Sequence, residues 1–316
     1  MLPCRALRST HRLLRAGSGW CRALPPTPSH TLFHHPPPAP LIGQARALAS
    51  AAPGGPGWGT PTADNDRYEH LLVTFKDGVR TITINRPEKK NALTEQMFDH
   101  VVAALDEAAK DPDTIITAIT GAGNVFCAGN DLSNFRTCTM KQAEELLIRH
   151  MGAFIDFPKP LVAVVNGAAV GVGTTLLPLY DLVYASDKAV FLTPFSALNI
   201  VAEGCSSFTF PLFLGQANAG EILLFGKKVS AKEARDIHLI TEVFEASRLY
   251  EEVWPHLQAM AKLPIKSLIY SKALTRDVYR DTLHKVNSAE CKRVVERLMG
   301  PRVDNEEYEK YVAENF

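Results

Sequence analysis

Charge bias is absent from this chain. Its 316 residues carry 34 basic and 34 acidic side chains, a formal net charge of zero, so there is no electrostatic footprint for nucleic acid or for an anionic membrane surface. Cysteine is scarce. Of six, Cys4 and Cys21 fall in an amino-terminal leader, and Cys127, Cys138, Cys205 and Cys291 show no paired or C-x-x-C spacing; they read as reduced thiols, with no zinc site. Long apolar runs are lacking as well. The one charge-free run, Pro160 to Tyr180, holds Asn166, two prolines, three glycines and the adjacent Thr174 and Thr175, and it breaks into strand, turn and helix, which argues against a membrane span. No metal, flavin or nucleotide-redox motif is evident.

Acid is missing from the amino-terminal end. Before Asp64 there is neither Asp nor Glu, while Arg5, Arg8, Arg12, Arg15, Arg22 and Arg46 are present without a single lysine. The spacing in "CRALRSTHRLLRAG" sets positive charge beside Leu7, Leu13 and Leu14 on a short amphipathic helix, the pattern of a mitochondrial presequence; the competing reading is a polar tail with no structure of its own. The carboxyl end, "VAENF", carries no Ser-Lys-Leu type address, which favours mitochondria over peroxisome. Residues 1–63 are therefore expected to be presequence and Pro/Gly-rich linker, with order beginning near Arg67.

What remains is 46% hydrophobic overall and strongly patterned. "HLLVTFKDGVRTITINRP" reads as a hairpin, Leu72–Phe75 and Val79–Ile84 around an Asp77-Gly78 turn. Thr94 is positioned to cap a helix whose Met97, Phe98, Val101, Leu105 and Ala108 recur at helical spacing. Further elements are predicted as a strand at Thr114–Thr120, a helix over about 141–153, a strand at Leu161–Val165, a turn at Asn166-Gly167, a helix from near Gly171, and the strand "DLVYAS". Strands alternating with helices predict parallel pairing in one α/β core over 64–256, followed from about Leu257 by a wholly helical region to 316 that packs on the core or on a neighbouring subunit.

Two glycine-containing turns follow buried strands, "CAGNDL" at 127–132 and "NGAAVGVGTT" at 166–175. A helix opening at Gly171 or Val172 leaves its first N–H groups unpaired, and one such donor from each turn can hold a carbonyl oxygen that gains negative charge. A glycine joint needed only for close packing fits the same spacing.

The segments "INRPEKKNAL", "FCAGNDL", "NGAAVGVGTTLLPLYDLVYAS" and "FLTPFSALNIVAEGCSS", in this order, resemble the enoyl-CoA hydratase/isomerase (crotonase) superfamily over about residues 68–300. Within it the chain is most similar to the mitochondrial and peroxisomal Δ3,Δ2-enoyl-CoA isomerase 2 group and to the chromodomain Y-like proteins, through "FPKPLVAVVNG" and "EGCSS". The resemblance implies an α/β fold of repeated ββα units forming a spiral with a helical carboxyl-terminal region, assembled as a trimer or a pair of trimers (hexamer). It implies oxyanion donors at the backbone N–H groups of Asn130 and Val172. It also implies a CoA path along Ala128, Gly129, Asn130, Asp131 and Leu132, with Lys90 and Ala92 near the adenine end; Lys89 and Lys90 read equally as a solvated turn.

The two glutamates that position water in hydratases of the superfamily correspond here to Thr175 and Phe195, which disfavours hydration. The resemblance instead gives the proton-carrying role to Glu203 in "VAEGCSS". An enoyl-CoA thioester is then the substrate, and no cofactor is required. Read without the resemblance, Glu203 is a cap for the helix that follows it; helix proximity lowers its pKa and burial among Phe191, Leu198 and Phe208 raises it. Asp131 and Asp181 read as turn or capping residues, and Cys127 as a small buried side chain. A crotonase-fold module that binds an acyl-CoA or a protein without turnover is the alternative, because "NIVAEGC" departs from the Gly-Gln-Ser-Pro lead-in of the active group. Another thioester reaction at the same hole is a third reading.

Overall fold

The alternation in the first ordered segment is realised as a hairpin. β2 (Leu71–Lys76) and β3 (Val79–Ile84) pair antiparallel with Lys76 opposite Val79, and both loop residues, Asp77 and Gly78, have positive φ of 52° and 79°, the handedness that matches strand twist in a two-residue turn. The computed structural model describes residues 59–62, 65–131, 133–134 and 138–299, all within the unit Ala49–Phe316; the arginine-rich leader, Leu132 and the carboxyl end lie outside the described residues. Pairing starts earlier than expected. β1 (Thr60–Pro61) lies antiparallel on β2, with Thr60 opposite Phe75, inside the stretch read as linker.

Helix α1 (Glu95–Lys110) begins where the cap predicts, with Thr94 Oγ1 accepting from Met97 N–H at 3.2 Å. All five residues of its predicted apolar stripe are buried. After β4 (Ile116–Gly121) and β5 (Val125–Cys127) comes α2 (Met140–Asp156), opened by a Thr139/Gln142 capping box. Then follow β6 (Leu161–Val165), β7 (Ala168–Val170), α3 (Val172–Thr175), β8 (Leu182–Ser186) and β9 (Val190–Leu192). The remaining elements are α4 (Ser206–Leu214), α5 (Gln216–Leu223), β10 (Val229–Ser230), α6 (Ala231–Asp236), β11 (Glu242–Phe244), α7 (Leu249–Met260) and α8 (Ile265–Leu298).

Among the described residues the strands form two sheets, ordered β1-β2-β3-β4-β6-β8-β11 and β10-β9-β7-β5. From β3 to β11 the larger sheet is parallel throughout. Its central strands β3, β4 and β6 are buried on both faces, as parallel strands between layers must be. One face, with Val79, Ile116, Val162 and Val164, packs on Leu249, Val253 and Leu257 of α7. The other, with Ile82, Ile119, Ala163 and Val165, joins α1, α2 and the second sheet in the main core.

The second sheet is the main departure from the sequence expectation. β5 and β7 had been read as parts of turns, because three-residue strands carry no measurable periodicity. They form through close backbone crossing: a Cβ on Gly167 would lie 1.9 Å from the Asn124 carbonyl oxygen, and one on Gly121 2.3 Å from that of Val125. The helix from Gly171 is also only one turn long, giving way to a 3-10 turn at Leu177–Leu179 that contains Pro178.

The carboxyl-terminal region is not wholly helical either. α7 stops at Met260, and Pro264, at φ −60° and ψ 113°, begins α8 afresh, since a proline biases its predecessor away from helix and leaves its own N–H unneeded at a helix start. α8 packs on α2 and α4. Asp181 anchors its first half: the carboxylate accepts from Lys272 Nζ at 2.7 Å, from Arg276 at 3.1 Å and from Leu161 N–H at 2.8 Å, as its reading as a turn residue expects. Lys272 is mostly buried, and burial pushes its pKa down to about 8 against the pull of Asp181. Replacing Asp181 by Ala leaves that ammonium buried without its carboxylate. Asp181→Ala is expected to cost about 3 kcal/mol in denaturant unfolding, and a midpoint unchanged from the parent would refute the anchor.

Candidate active site

Parallel pairing of β5 with β7, Val125 opposite Ala168 and Cys127 opposite Ala169, makes the two strands end side by side. The turns that leave them are therefore neighbours. A Cβ on Gly129, at φ 93°, would meet the Val170 oxygen at 3.1 Å and the Gly171 Cα at 3.8 Å. Only glycine allows this approach with that backbone.

Hydrogen bonds along the first turn skip one residue. Gly129 N–H bonds Cys127 Sγ at 3.4 Å, Gly129 O accepts from Leu93 N–H and Asp131 N–H donates to Leu93 O, both at 2.8 Å. The Asn130 N–H between them has no acceptor among the described residues. In the second turn Gly171 N–H is taken by Leu192 O at 2.9 Å, while Gly171 O accepts from Thr174 and Thr175. Val172, the first residue of α3, is left with an unpaired N–H, as helix geometry requires. Val172 is fully buried and Asn130 and Gly171 are partly exposed, so the donor pair is reached from the Asn130 side.

Glu203 faces both turns. It is 3% exposed, its carboxylate accepts from Asn130 Nδ2 at 3.1 and 3.3 Å, and Oε1 lies 3.9 Å from where a Cβ of Gly171 would stand. Burial pushes its pKa up to about 7; the Asn130 bond opposes that and the charge of Glu290 adds to it. Of the two opposed influences noted in the sequence, desolvation wins. The capping alternative is overturned by geometry: the first turn of α4 is capped by the carboxylate of Glu290, which accepts from Cys205 and Ser207 N–H at 2.7 and 2.8 Å. Glu203 offers that turn only its backbone oxygen, to Ser206.

The other expected residues divide by what they touch. Thr175 and Phe195 are buried at the site; the Thr175 hydroxyl has no partner among the described residues, and the Phe195 ring edge stands 4.0 Å from the same Gly171 position. Ala128 donates its N–H to Lys90 O at 3.1 Å, so the Lys90–Ala92 loop lies along the first turn. Asp131 is a structural link: burial would raise its pKa, but bonds from Ser133 and Arg86 outweigh it and hold the carboxyl below its ordinary value. Cys127 is buried, and burial pushes its thiol up to about 12, so it is no nucleophile at neutral pH. Lys89 is exposed and Lys90 partly so. Leu132 lies outside the described residues.

Three contributors went unread in the sequence. Asn91, fully buried at φ 58°, donates to Ala122 O and Val125 O at 2.9 and 2.7 Å and accepts from Arg86 N–H at 2.9 Å, tying the loop to the base of β5. Arg86 reaches both Ala92 O and Asp131. Glu290 arrives from α8. Asparagine tolerates positive φ better than most residues, which is the one local signal "KKNAL" offered. Behind the two turns a small apolar cavity is lined by Leu93, Phe126, Cys127, His150, Val172 and Leu176; burial holds His150 down to about 4, hence neutral. Among the described residues no group of three His, Cys, Asp or Glu could hold a metal ion, and no helix is long and apolar enough to cross a membrane.

Two layered sheets, a helical carboxyl-terminal region and paired unbonded N–H groups beside one buried carboxylate define an α/β protein of the crotonase fold class. The chain belongs to the enoyl-CoA hydratase/isomerase family, whose pattern matches residues 74–300. It is 48% identical over 245 residues to enoyl-CoA delta isomerase 2 of Homo sapiens, covering 75% of this chain and 62% of that protein; the chain thus spans about three fifths of that relative's length. To the peroxisomal enoyl-CoA delta isomerase 3 of Mus musculus it is 43% identical over 263 residues, 81% of each chain. Among solved structures, the enoyl-CoA hydratase/isomerase of Pseudoalteromonas atlantica T6c superposes with a TM-score of 0.72 at 33% identity, over 78% of this chain and 98% of that one.

The raised proton affinity of Glu203 has a consequence for stability. Between an ordinary value of 4.5 and about 7 the folded chain holds a proton that the unfolded chain has released. This contribution is present below that window and is lost as pH rises through about 7, a change of roughly 3 kcal/mol for one such group. Glu203→Gln keeps an acceptor for Asn130 without the charge. Its unfolding free energy is expected to gain on that of the parent between about pH 5 and about pH 8; parallel pH curves for the two proteins would refute the buried-carboxyl reading.

Proposed function

We propose that this chain catalyses the conversion of 3-cis- and 3-trans-enoyl-CoA to trans-2-enoyl-CoA, as befits oxidation of unsaturated fatty acids. The observation that carries the reading is the single buried carboxylate, Glu203, with near-neutral proton affinity beside two unpaired backbone N–H groups. A base with a pKa near the working pH is best suited to take a proton and give it back.

The thioester oxygen accepts from the N–H groups of Asn130 and Val172, which acidifies the C2 proton. Glu203 removes that proton, the C3–C4 double bond shifts to C2–C3 through a dienolate whose charge rests on the held oxygen, and the same carboxyl returns the proton at C4. One carboxylate suffices. Hydration, which needs water positioned by a second group, finds Thr175 and Phe195 instead. The apolar cavity behind the turns suits the acyl end of such a substrate, and Ala128, Gly129, Asp131, Leu132, Lys90 and Ala92 form the CoA path. Nothing in this chemistry calls for a cofactor.

The arginine-rich, acid-free leader supports a mitochondrial matrix protein, with residues 64–316 as the catalytic module. Exposed Tyr270, Leu274 and Val278 on α8 and Leu212 and Phe213 on α4 support assembly as a homotrimer or hexamer, since apolar side chains exposed in this number suit a subunit interface.

The protein lacking residues 1–63 is expected to convert both 3-enoyl-CoA isomers, followed by the absorbance of the conjugated thioester. Its kcat/KM should rise with pH to a plateau above about 7. Glu203→Gln should lower kcat by about a thousandfold with KM little changed. Absence of turnover in a parent sample that still binds the ester would sink the isomerase and leave a crotonase-fold acyl-CoA or protein-binding module.

A further inference from the structure

Helix α4 starts without a cap of its own. Cys205, its N-cap residue, stands at φ 62° and makes no side-chain bond to the first turn, and Gly204 before it stands at φ 69°. Two successive left-handed residues, one of them not glycine, form a strained path that persists only where neighbours hold it. Glycine is needed at 204 on a second ground, because a Cβ there would fall 2.6 Å from Thr175 Oγ1. The side chain of Glu203 leaves the backbone at the head of this path.

The holder comes from the far end of the chain. Glu290 on α8 is 7% exposed, and its two oxygens separately accept the N–H groups of Cys205 at 2.7 Å and Ser207 at 2.8 Å, across 85 and 83 residues of sequence. Two smaller bonds complete the clamp, Cys205 Sγ donating to Leu283 O at 3.4 Å and Ser206 Oγ to Glu203 O at 2.7 Å.

We infer that Glu290 is a positioning residue for Glu203: by fixing Gly204 and Cys205 in the left-handed turn it keeps the Glu203 carboxylate against Asn130 and the two N–H donors. The proposal rests on Glu203 being the proton carrier. Charge acts in the same direction as geometry. Burial is the main reason Glu203 holds its proton to about 7, and the neighbouring carboxylate of Glu290 raises it further. Glu290 is itself raised by burial, against the bonds from Ser207 and Cys205. The other titratable groups facing this pair are Cys205, Cys291 and, from α2, Glu144; both thiols are pushed up by burial and stay neutral. A loosened clamp therefore costs both the aim of the base and part of its basicity.

The test uses the full chain with Glu290→Gln and Glu290→Asp, and Glu203→Gln as reference. Carbon-13 NMR of glutamate-labelled protein follows the Glu203 carboxyl, assigned by the resonance missing in Glu203→Gln. In Glu290→Gln the Glu203 midpoint is expected to move to lower pH and kcat to fall about tenfold while KM stays within about twofold. A midpoint and kcat both unchanged, even with a lower melting temperature, would reduce Glu290 to a helix cap and overturn the inference. Should Glu290→Gln fail to fold, Glu290→Asp keeps the charge on a shorter arm and decides on kcat: a several-fold fall supports the positioning role, and an unchanged value overturns it. A parent without turnover defeats the isomerase reading instead, and the NMR midpoint still judges the link between the two carboxylates.

Discussion

Parallel pairing of two three-residue strands is the constraint on which this site rests. β5 and β7 contribute little sheet, yet their register decides that the turns at Ala128–Asp131 and Gly171–Val172 end side by side. The crossing is tight enough that Gly121 and Gly167 cannot carry a Cβ. It is fastened by Asn91, whose side chain satisfies backbone groups on three segments at once. Each of these buried polar contacts removes an orphan that would otherwise cost about 1–3 kcal/mol, so the joint is both specified and rigid. Backbone N–H groups left unpaired in such a joint are preorganised donors that need no rearrangement when negative charge develops on a ligand.

Around the joint, the protein places a carboxyl where water is largely excluded and offsets only part of the cost. Asn130 gives Glu203 two contacts through one amide nitrogen, less than a buried carboxylate would need to remain fully ionised. The result is a group balanced between its two protonation states near neutrality. Asp131, one residue along from Asn130, has the opposite fate: Arg86 and Ser133 satisfy it, it stays ionised, and it serves as a link between loops. Asp181, also satisfied by cations, anchors α8. Carboxylates of the same chemistry are thus divided into proton carrier and structural tie by their hydrogen-bond partners.

Much of the scaffold was legible in the sequence. The hairpin, the Thr94-capped helix and the strand at Leu161–Val165 follow from alternation, cap chemistry and helical spacing that act within a few residues. The elements missed were those without a local period. β5 and β7 are too short to show one, and the break at Ala261–Pro264 interrupted a run that helical spacing alone joined. The family resemblance rested on four motifs carrying the glycine turns and their flanks, and it agrees with the family to which the chain belongs.

By itself, the sequence determined that an α/β core with two glycine turns would form and that Glu203 stood beside a helix start. It could not determine whether Glu203 capped that helix. Folding settled the matter by delivering Glu290 from 85 residues downstream to the cap, leaving the Glu203 carboxylate to Asn130. Hydrogen-bond partners and desolvation at a buried acid come from segments far apart in the chain, and its proton affinity depends on all of them together; no local pattern of residues contains that information.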